Sequence, residues 1–415
     1  MKHYLIGFFI ILALTAAAWS QNYYALPYGQ SWHFPDARSL ALGGAASVAL
    51  EGAPALFYNP AGLFQEERAL LQLSPGFRKL SERRSYPLYD RFESVVGDGI
   101  YAINDNYYPD LQAAFSLRLN LLKKLPLTLG WAVFKEQDFR YTYDEEVRDN
   151  IFGDPVLGFN KIEYGGMITR YSLGAAAAIP GLKGLTFGLQ AGILKGELRT
   201  ERFYHKLSSG EKVGSKMDAS LDNTPVVLSM GAIYQLNERI RLGADLRLPY
   251  KIKYTVLNDE YQYPLAINFA AQYRARQIIQ AVLNVEVGYE FWSDVDNPTF
   301  VEPGSVSPTN FDDVFKLKAG LEHIFYNQVP FRVGMQYRNS YFNRGTTQTL
   351  LTVGTGFRAA NWTVDVSGAV SSTDYHWPDL FDDTIYGGDR SNSLIDRVEE
   401  TFFLGMVTLT YFLNF

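Results

Sequence analysis

The sequence contains no cysteine. A disulfide scaffold, a zinc ribbon and a thiol nucleophile are excluded with it. Histidine is scarce too. The five are His3, His33, His205, His323 and His376, with no i,i+4 or HxH pairing of the kind that holds a metal. Positive charge is not in excess: 38 Lys and Arg face 44 Asp and Glu, for a net charge of −6. No basic footprint marks a nucleic-acid binder. No GxSxG elbow or P-loop is present. Gly354 to Ala359 satisfies a loose GxGxxA pattern, but it sits inside an alternating segment rather than at a strand-to-helix turn. Asp374 and His376, beside an acidic stretch with Asp379, Asp382, Asp383 and Asp389, read as solvated loop charge. These absences argue against an enzyme, a cofactor and a metal. Long apolar runs are missing beyond the N-terminus, and a mean hydropathy of −0.11 is too polar for a helical membrane protein.

Aromatic residues are what the chain has in quantity: 28 Tyr, 28 Phe and 6 Trp. Strands that face lipid on one side and water on the other reconcile many aromatics with modest hydropathy. The beginning of the chain points to the same compartment. Lys2 and His3 precede an apolar run from Tyr4 to Leu14, and Ala18-Trp19-Ser20 forms a small-residue cleavage site. Residues 1–20 read as an export signal, the apolar run being shorter than the ~20 residues a spanning helix needs.

The remainder alternates with period two. In Phe331 to Arg338 the apolar and polar sets separate completely. Trp362, Val364, Val366, Gly368 and Val370 interleave with Thr363, Asp365, Ser367 and Ala369. The longest run goes from Leu242 to Val256, with apolar residues at the even positions. A helix would spread the charges around its surface; a strand places them on one face. About fourteen such segments lie between 69 and 415. Short connections at 180–184, 237–239 and 358–361 alternate with long charged ones at 80–109, 295–312 and 376–398. Short turns at one end and long loops at the other describe an all-β, transmembrane antiparallel barrel, with both termini on the periplasmic, short-turn side. The last segment alternates from Phe403 to a terminal Phe415, which resembles the C-terminal signal read by the barrel assembly machinery.

A barrel of about fourteen strands encloses more space than its own side chains fill. Residues 21–66 fit no strand pattern, are weakly charged, and carry Pro27, Pro35, Pro54 and Pro60. Gly43, Gly44 and Gly52 suggest compact turns between helical pieces. This segment reads as a plug in the lumen of a barrel formed by 67–415; a disordered tail is usually more polar. Pro60 forces the Asn59-Pro60 step to be extended or turned, and Asn59 can bond its own backbone two residues on. Phe57, Tyr58 and Leu63 offer apolar contacts to a wall or a ligand. The inward positions Gly188, Gly192, Gly243, Gly288, Gly320, Gly334, Gly354 and Gly356 would leave room for the plug.

Asp36 to Leu63 resembles the N-terminal hatch of the FadL family, fourteen-stranded outer-membrane transporters of long-chain fatty acids and other hydrophobic molecules. That family's Asn-Pro-Ala motif falls on Asn59, Pro60 and Ala61, and its small-residue stretch on Gly43, Gly44 and Ala45. The resemblance implies a hatch that gates passive uptake of an apolar molecule, an apolar pocket above the hatch, and sideways exit through a break in the wall into the surrounding lipid. Pro35 to Ser39 also resembles a sister group, the PorV-type and PorQ-type barrels of type IX secretion, which implies a protein partner instead.

Overall fold

The computed structural model describes residues 28, 32–92, 94–122, 125–149, 155–257, 260–275, 280–296, 311–325, 328–341, 347–387 and 395–413. The alternating segments are strands, in the order β1 (Ala69–Tyr89), β2 (Val95–Leu122), β3 (Leu125–Asp138), β4 (Tyr141–Arg148), β5 (Val156–Gly165), β6 (Met167–Ala178), β7 (Leu185–Lys206), β8 (Lys212–Ser220), β9 (Val226–Gln235), β10 (Ile240–Arg247), β11 (Tyr250–Lys253), β12 (Glu260–Tyr263), β13 (Ala266–Arg274), β14 (Ala281–Glu290), β15 (Val314–Ile324), β16 (Pro330–Asn339), β17 (Thr347–Arg358), β18 (Trp362–Pro378) and β19 (Ile395–Leu413). Antiparallel pairing runs β1-β2-β3-β6-β7-β9-β10-β13 and on through β19, which returns to β1 with Ala69 opposite Leu413. The result is a closed barrel of 14 strands. Closure leaves no sheet edge to satisfy, which is what permits strands to cross a bilayer. β4, β5, the upper half of β7 and β8 continue the wall above the barrel, and β11 with β12 forms a separate hairpin.

The two faces of each strand part as the alternation requires. On β14, Leu283, Val285, Val287 and Tyr289 are exposed, while Asn284, Glu286 and Glu290 are buried inside. Leu283 to Tyr289 covers roughly 20 Å of strand at ~3.4 Å per residue, matching a lipid-facing apolar band. Aromatic side chains rim the short-turn end of this band: Tyr234, Tyr273, Phe331, Phe357, Trp362 and Tyr411 are all exposed. Among the described residues no helix is long and apolar enough to cross a membrane.

Two expected boundaries move. Residues 80–109 are not a long loop: β1 and β2 continue paired to Tyr89 and Val95, because the charged residues there still alternate. The run from Leu242 to Val256 is not one strand. It breaks between β10 and β11 at Leu248-Pro249, where proline cannot donate to a ladder. Leu242 faces outward, whereas Tyr250, Ile252 and Tyr254 turn in and join a buried aromatic cluster with Tyr28, Tyr261, Tyr263 and Trp292. The 354–359 pattern lies largely in β17, as its alternation requires. The proposed signal at 1–20, Asp389 and Phe415 lie outside the described residues.

Residues 32–65 contain a short helix, α1 (Ala37–Ala41), and two 3-10 turns, Ala53–Phe57 and Pro60–Gln65. Asp36 caps α1 by accepting from the Ser39 amide at 2.7 Å, and Ser39 Oγ donates back to the Asp36 carbonyl at 2.8 Å. Gly43, Gly44 and Gly52 all have positive φ, as compact turns need. α1 packs against β16, β17, β18 and β19, the first 3-10 turn against β2, β3 and β6, and the second against β3, β6, β7 and β9. The segment therefore touches strands from opposite sides of the closed barrel. The inward glycines explain how it fits. A Cβ on Gly188 would overlap Pro60, on Gly243 Val48, on Gly320 Leu42, on Gly334 Gly43 and Leu42, and on Gly354 Ala41. Gly130, Gly174 and Gly231 do the same for Leu63, Leu56 and Asn59. Gly192, Gly288 and Gly356 instead face Arg170, Asn268 and Asp365, so room for the segment is not their reason.

Candidate functional site

Asn59 is fully buried and works in two directions. Its Oδ1 accepts from the Ala61 amide at 3.0 Å, capping the turn that Pro60 begins. Its Nδ2 donates to the carbonyls of Ala232 on β9 and Ala244 on β10, at 3.2 and 3.3 Å. The Asn-Pro-Ala step is therefore fastened to the wall through one side chain. Two further ties hold the same segment. Glu286 on β14 accepts from the amides of Ala46 and Ser47 at 3.2 and 3.1 Å. Glu322 on β15 binds Arg38 through two nitrogens, each at 3.2 Å.

Above these ties lies a cavity of about 120 Å³. The segment supplies Trp32, Phe34, Phe57 and Tyr58 to it, and the aromatic cluster supplies Tyr28, Tyr263, Trp292 and Tyr341. Trp292 and Tyr341 stack at 4.4 Å between ring centroids. Burial pushes the phenols of Tyr28 and Tyr58 above the ordinary tyrosine range, which keeps both neutral. Of the expected contacts, Phe57 and Tyr58 line the cavity. Leu63 does not; it is buried against Gly130 and Gly174 of the wall. Gly43, Gly44, Asn59, Pro60 and Ala61 lie outside the lining as well and form the segment's turns and its attachment.

The expected apolar pocket is instead aromatic and charged. Glu136 on β3 pairs with Arg170 on β6 at 3.3 Å and Arg247 on β10 at 3.6 Å, and accepts from Tyr250 Oη at 3.1 Å. Glu290 on β14 pairs with Lys316 on β15 at 2.5 Å and with Arg247 at 3.6 Å. Lys318 pairs with Glu286 at 2.6 Å and lies over the Tyr58 ring at 5.0 Å. Arg338 on β16 lies over Trp32 at 5.8 Å. Sequence reasoning missed these residues. The signal was present, because Lys316, Lys318 and Arg338 occupy inward positions of alternating strands. Their convergence was not visible in any one strand.

The wall changes character beside this cavity. The ladder between β2 and β3 ends at Ala113 opposite Val133, although both chains continue upward. β3 stays paired to β6 on its other side, with a register shift between Lys135 and Gln137. Phe134 to Phe139 are buried in consecutive order, the mark of a strand that has left its pleat. Side chains join β1, β2 and β3 there. Lys135 pairs with Asp110, Arg140 with Asp138 at 2.8 Å, and Arg78 with Asp138 at 3.5 Å; Arg140 Nη1 donates to the Pro109 carbonyl at 2.7 Å. Asn106 Nδ2 donates to the Thr142 carbonyl at 2.8 Å. Glu136 and Gln137 of the shifted stretch line the cavity, and Phe134 meets Phe57 edge-on at 5.3 Å. Cavity, segment and interrupted ladder meet at one place.

No family model and no curated protein matches the chain. Solved structures do. A FadL homologue from Pseudomonas aeruginosa superposes with a TM-score of 0.62 at 14% identity, covering 92% of this chain and 99% of that one. The toluene transporter TodX from P. putida gives 0.58 at 13% identity, covering 92% and 99%. The toluene transporter TbuX from Ralstonia pickettii gives 0.56 at 15% identity, covering 91% and 98%. At such identities the likeness establishes the fold, a barrel of the FadL type.

Proposed function

We propose that the protein is an outer-membrane channel for passive uptake of hydrophobic small molecules, closed by residues 32–65 acting as a hatch. The observation that carries this reading is the junction at Phe134 to Gln137, where a small cavity touches both the hatch and the interrupted ladder. A molecule arriving from the long-loop end would meet the aromatic rings. It would leave sideways past β3 into lipid, and so avoid crossing water with its apolar surface exposed. The rings supply apolar area and edge-on contacts suited to a flat ligand. Displacement of Phe57 and Tyr58 by the ligand would loosen the turn that Asn59 fastens. The solved barrels of the same fold include toluene transporters, which supports the substrate class. A long-chain fatty acid fits less well than a compact molecule, since a cavity near 150 Å³ is the size that admits benzene. No specific observation favours the type IX secretion alternative.

The test is uptake by vesicles holding the purified barrel. Toluene should enter faster than into empty vesicles, and glucose should not. Equal rates for protein-containing and empty vesicles refute the channel reading.

A further inference from the structure

A second cavity, of about 340 Å³, opens at the short-turn mouth of the barrel. Among the described residues its lining is wholly polar: Gln235, Glu238, Arg239, Arg241, Gln272 and Arg274. These belong to the end of β9, the turn into β10, β10 itself and the end of β13. Ile240 lies opposite Tyr273 in the ladder, which sets Arg239 directly opposite Arg274, and the Arg274 amide donates to the Arg239 carbonyl at 2.8 Å. Like charges placed directly across an antiparallel pair repel. Among the described residues neither arginine forms an ion pair. The next residues along the chain, 276–279, include no acid. Arg241 shares their face of β10, opposite Gln272, and is the third cation. It is also tied to the hatch. Its Nη1 donates to the Val48 carbonyl at 3.2 Å and lies 3.4 Å from Glu51, while its Nε donates to Gln235 at 3.0 Å.

We propose that this mouth cavity is a phosphate site, and that its occupant draws Arg241 away from the hatch. The link to the hatch rests on the uptake reading; the site does not. Guanidinium groups bind phosphates through paired hydrogen bonds. Three of them line one cavity here, against the single carboxylate of Glu238. A carboxylate ligand, with two oxygens and one charge, would satisfy fewer of these donors than a phosphate, with more oxygens and up to two charges. The volume falls within the range of small-molecule sites. The position admits two sources of the same chemistry. Tyr234 and Tyr273 belong to the exposed aromatic rim, and Arg274 follows Tyr273 directly. Aromatic rims mark the level of the lipid head groups, which both phospholipid and dissolved phosphate reach. An occupant competes for Arg241 with the Val48 carbonyl and with Glu51, a partly exposed ion partner of modest strength.

Calorimetric titration of the purified barrel in phosphatidylcholine nanodiscs tests the site, with inorganic phosphate and acetate as probes at constant ionic strength. We expect phosphate to bind about tenfold or more tighter than acetate. Arg239→Gln combined with Arg274→Gln should lower phosphate affinity about tenfold, and the corresponding pair of lysines, which keeps the charge and loses the paired donors, should fall between. Equal affinity for the two anions, or phosphate binding unchanged by the glutamine pair, overturns the inference. The comparison of anions on the unaltered protein decides the matter if the glutamine pair does not assemble. Adding phosphatidylglycerol to the discs separates the sources: loss of free-phosphate binding assigns the site to lipid head groups, and undiminished binding assigns it to the dissolved ion. Cleavage after Glu51 by a glutamate-specific protease reads the link to the hatch. Phosphate should speed it by about threefold to tenfold, the worth of one released hydrogen bond, and an unchanged rate removes the link and keeps the site. Toluene uptake separates this proposal from the channel reading: phosphate binding without toluene entry leaves the site standing and removes the uptake reading together with the link.

Discussion

Replacing Asn59 by Ala should release the hatch without unfolding the barrel. The side chain makes three hydrogen bonds, to the Ala61 amide and to the carbonyls of Ala232 and Ala244, from a fully buried position. A buried hydrogen bond contributes about 0.5–1.5 kcal/mol net, and loss of one partner strands the other. Three together amount to about 2–4 kcal/mol. Alanine also removes the N-cap of the Pro60–Gln65 turn, an effect already within that range. None of the three bonds belongs to the ladder that closes the wall, so the loss falls on hatch docking. Since 1.4 kcal/mol is a factor of ten, the undocked population should rise by about thirtyfold to a thousandfold. Planar-bilayer conductance reads the leak, limited proteolysis reads exposure of residues 32–65, and heat-dependent gel mobility confirms assembly. An assembled Asn59→Ala barrel with unaltered conductance and cleavage would refute the argument and leave Asn59 as scaffold.

Gly334→Leu should have a similar effect by a different cause, because its side chain would occupy the space of Leu42 and Gly43; we expect a protease-sensitive N-terminal segment, and full protection would show that the wall yields instead. Lys135→Met leaves the half-buried Asp110 without its ion partner at the interrupted ladder; faster transfer of toluene into vesicle lipid is expected, with glucose still excluded, and an unchanged rate would argue against exit beside β3. Val285→Arg places a charge on the lipid face of β14 and should lower folding stability in vesicles by about 2–4 kcal/mol. Denaturant titration in lipid measures this, and a neutral result would mean that this face does not meet the bilayer core.

Much of the architecture was legible because alternation is a local property. Each strand needed only its own residues to declare two faces, and the strand count followed. The compact turns of residues 32–65 were legible in part for the same reason: Asp36 with Ser39, Asn59 with Ala61, and the positive-φ glycines act over two to four residues. The extent of the β1-β2 hairpin is hidden in the sequence because its charge resembles that of a loop, although outside the lipid band a strand carries charge freely. The inward turn at Pro249 was hidden because Tyr250 and Tyr254 keep the parity of Leu242 while their surroundings change from lipid to a packed cluster.

The amino-acid pattern alone specifies a closed membrane barrel with a compact N-terminal segment, because period-two patterning and turn chemistry are written residue by residue. What the barrel encloses depends on how its strands come together. Glu136, Arg170, Arg247, Glu290, Lys316 and Arg338 come from six different strands. Their meeting around one cavity, beside the point where β2 and β3 part, depends on the register with which the strands close. Register is set by the whole ring of ladders at once, and no single segment carries it.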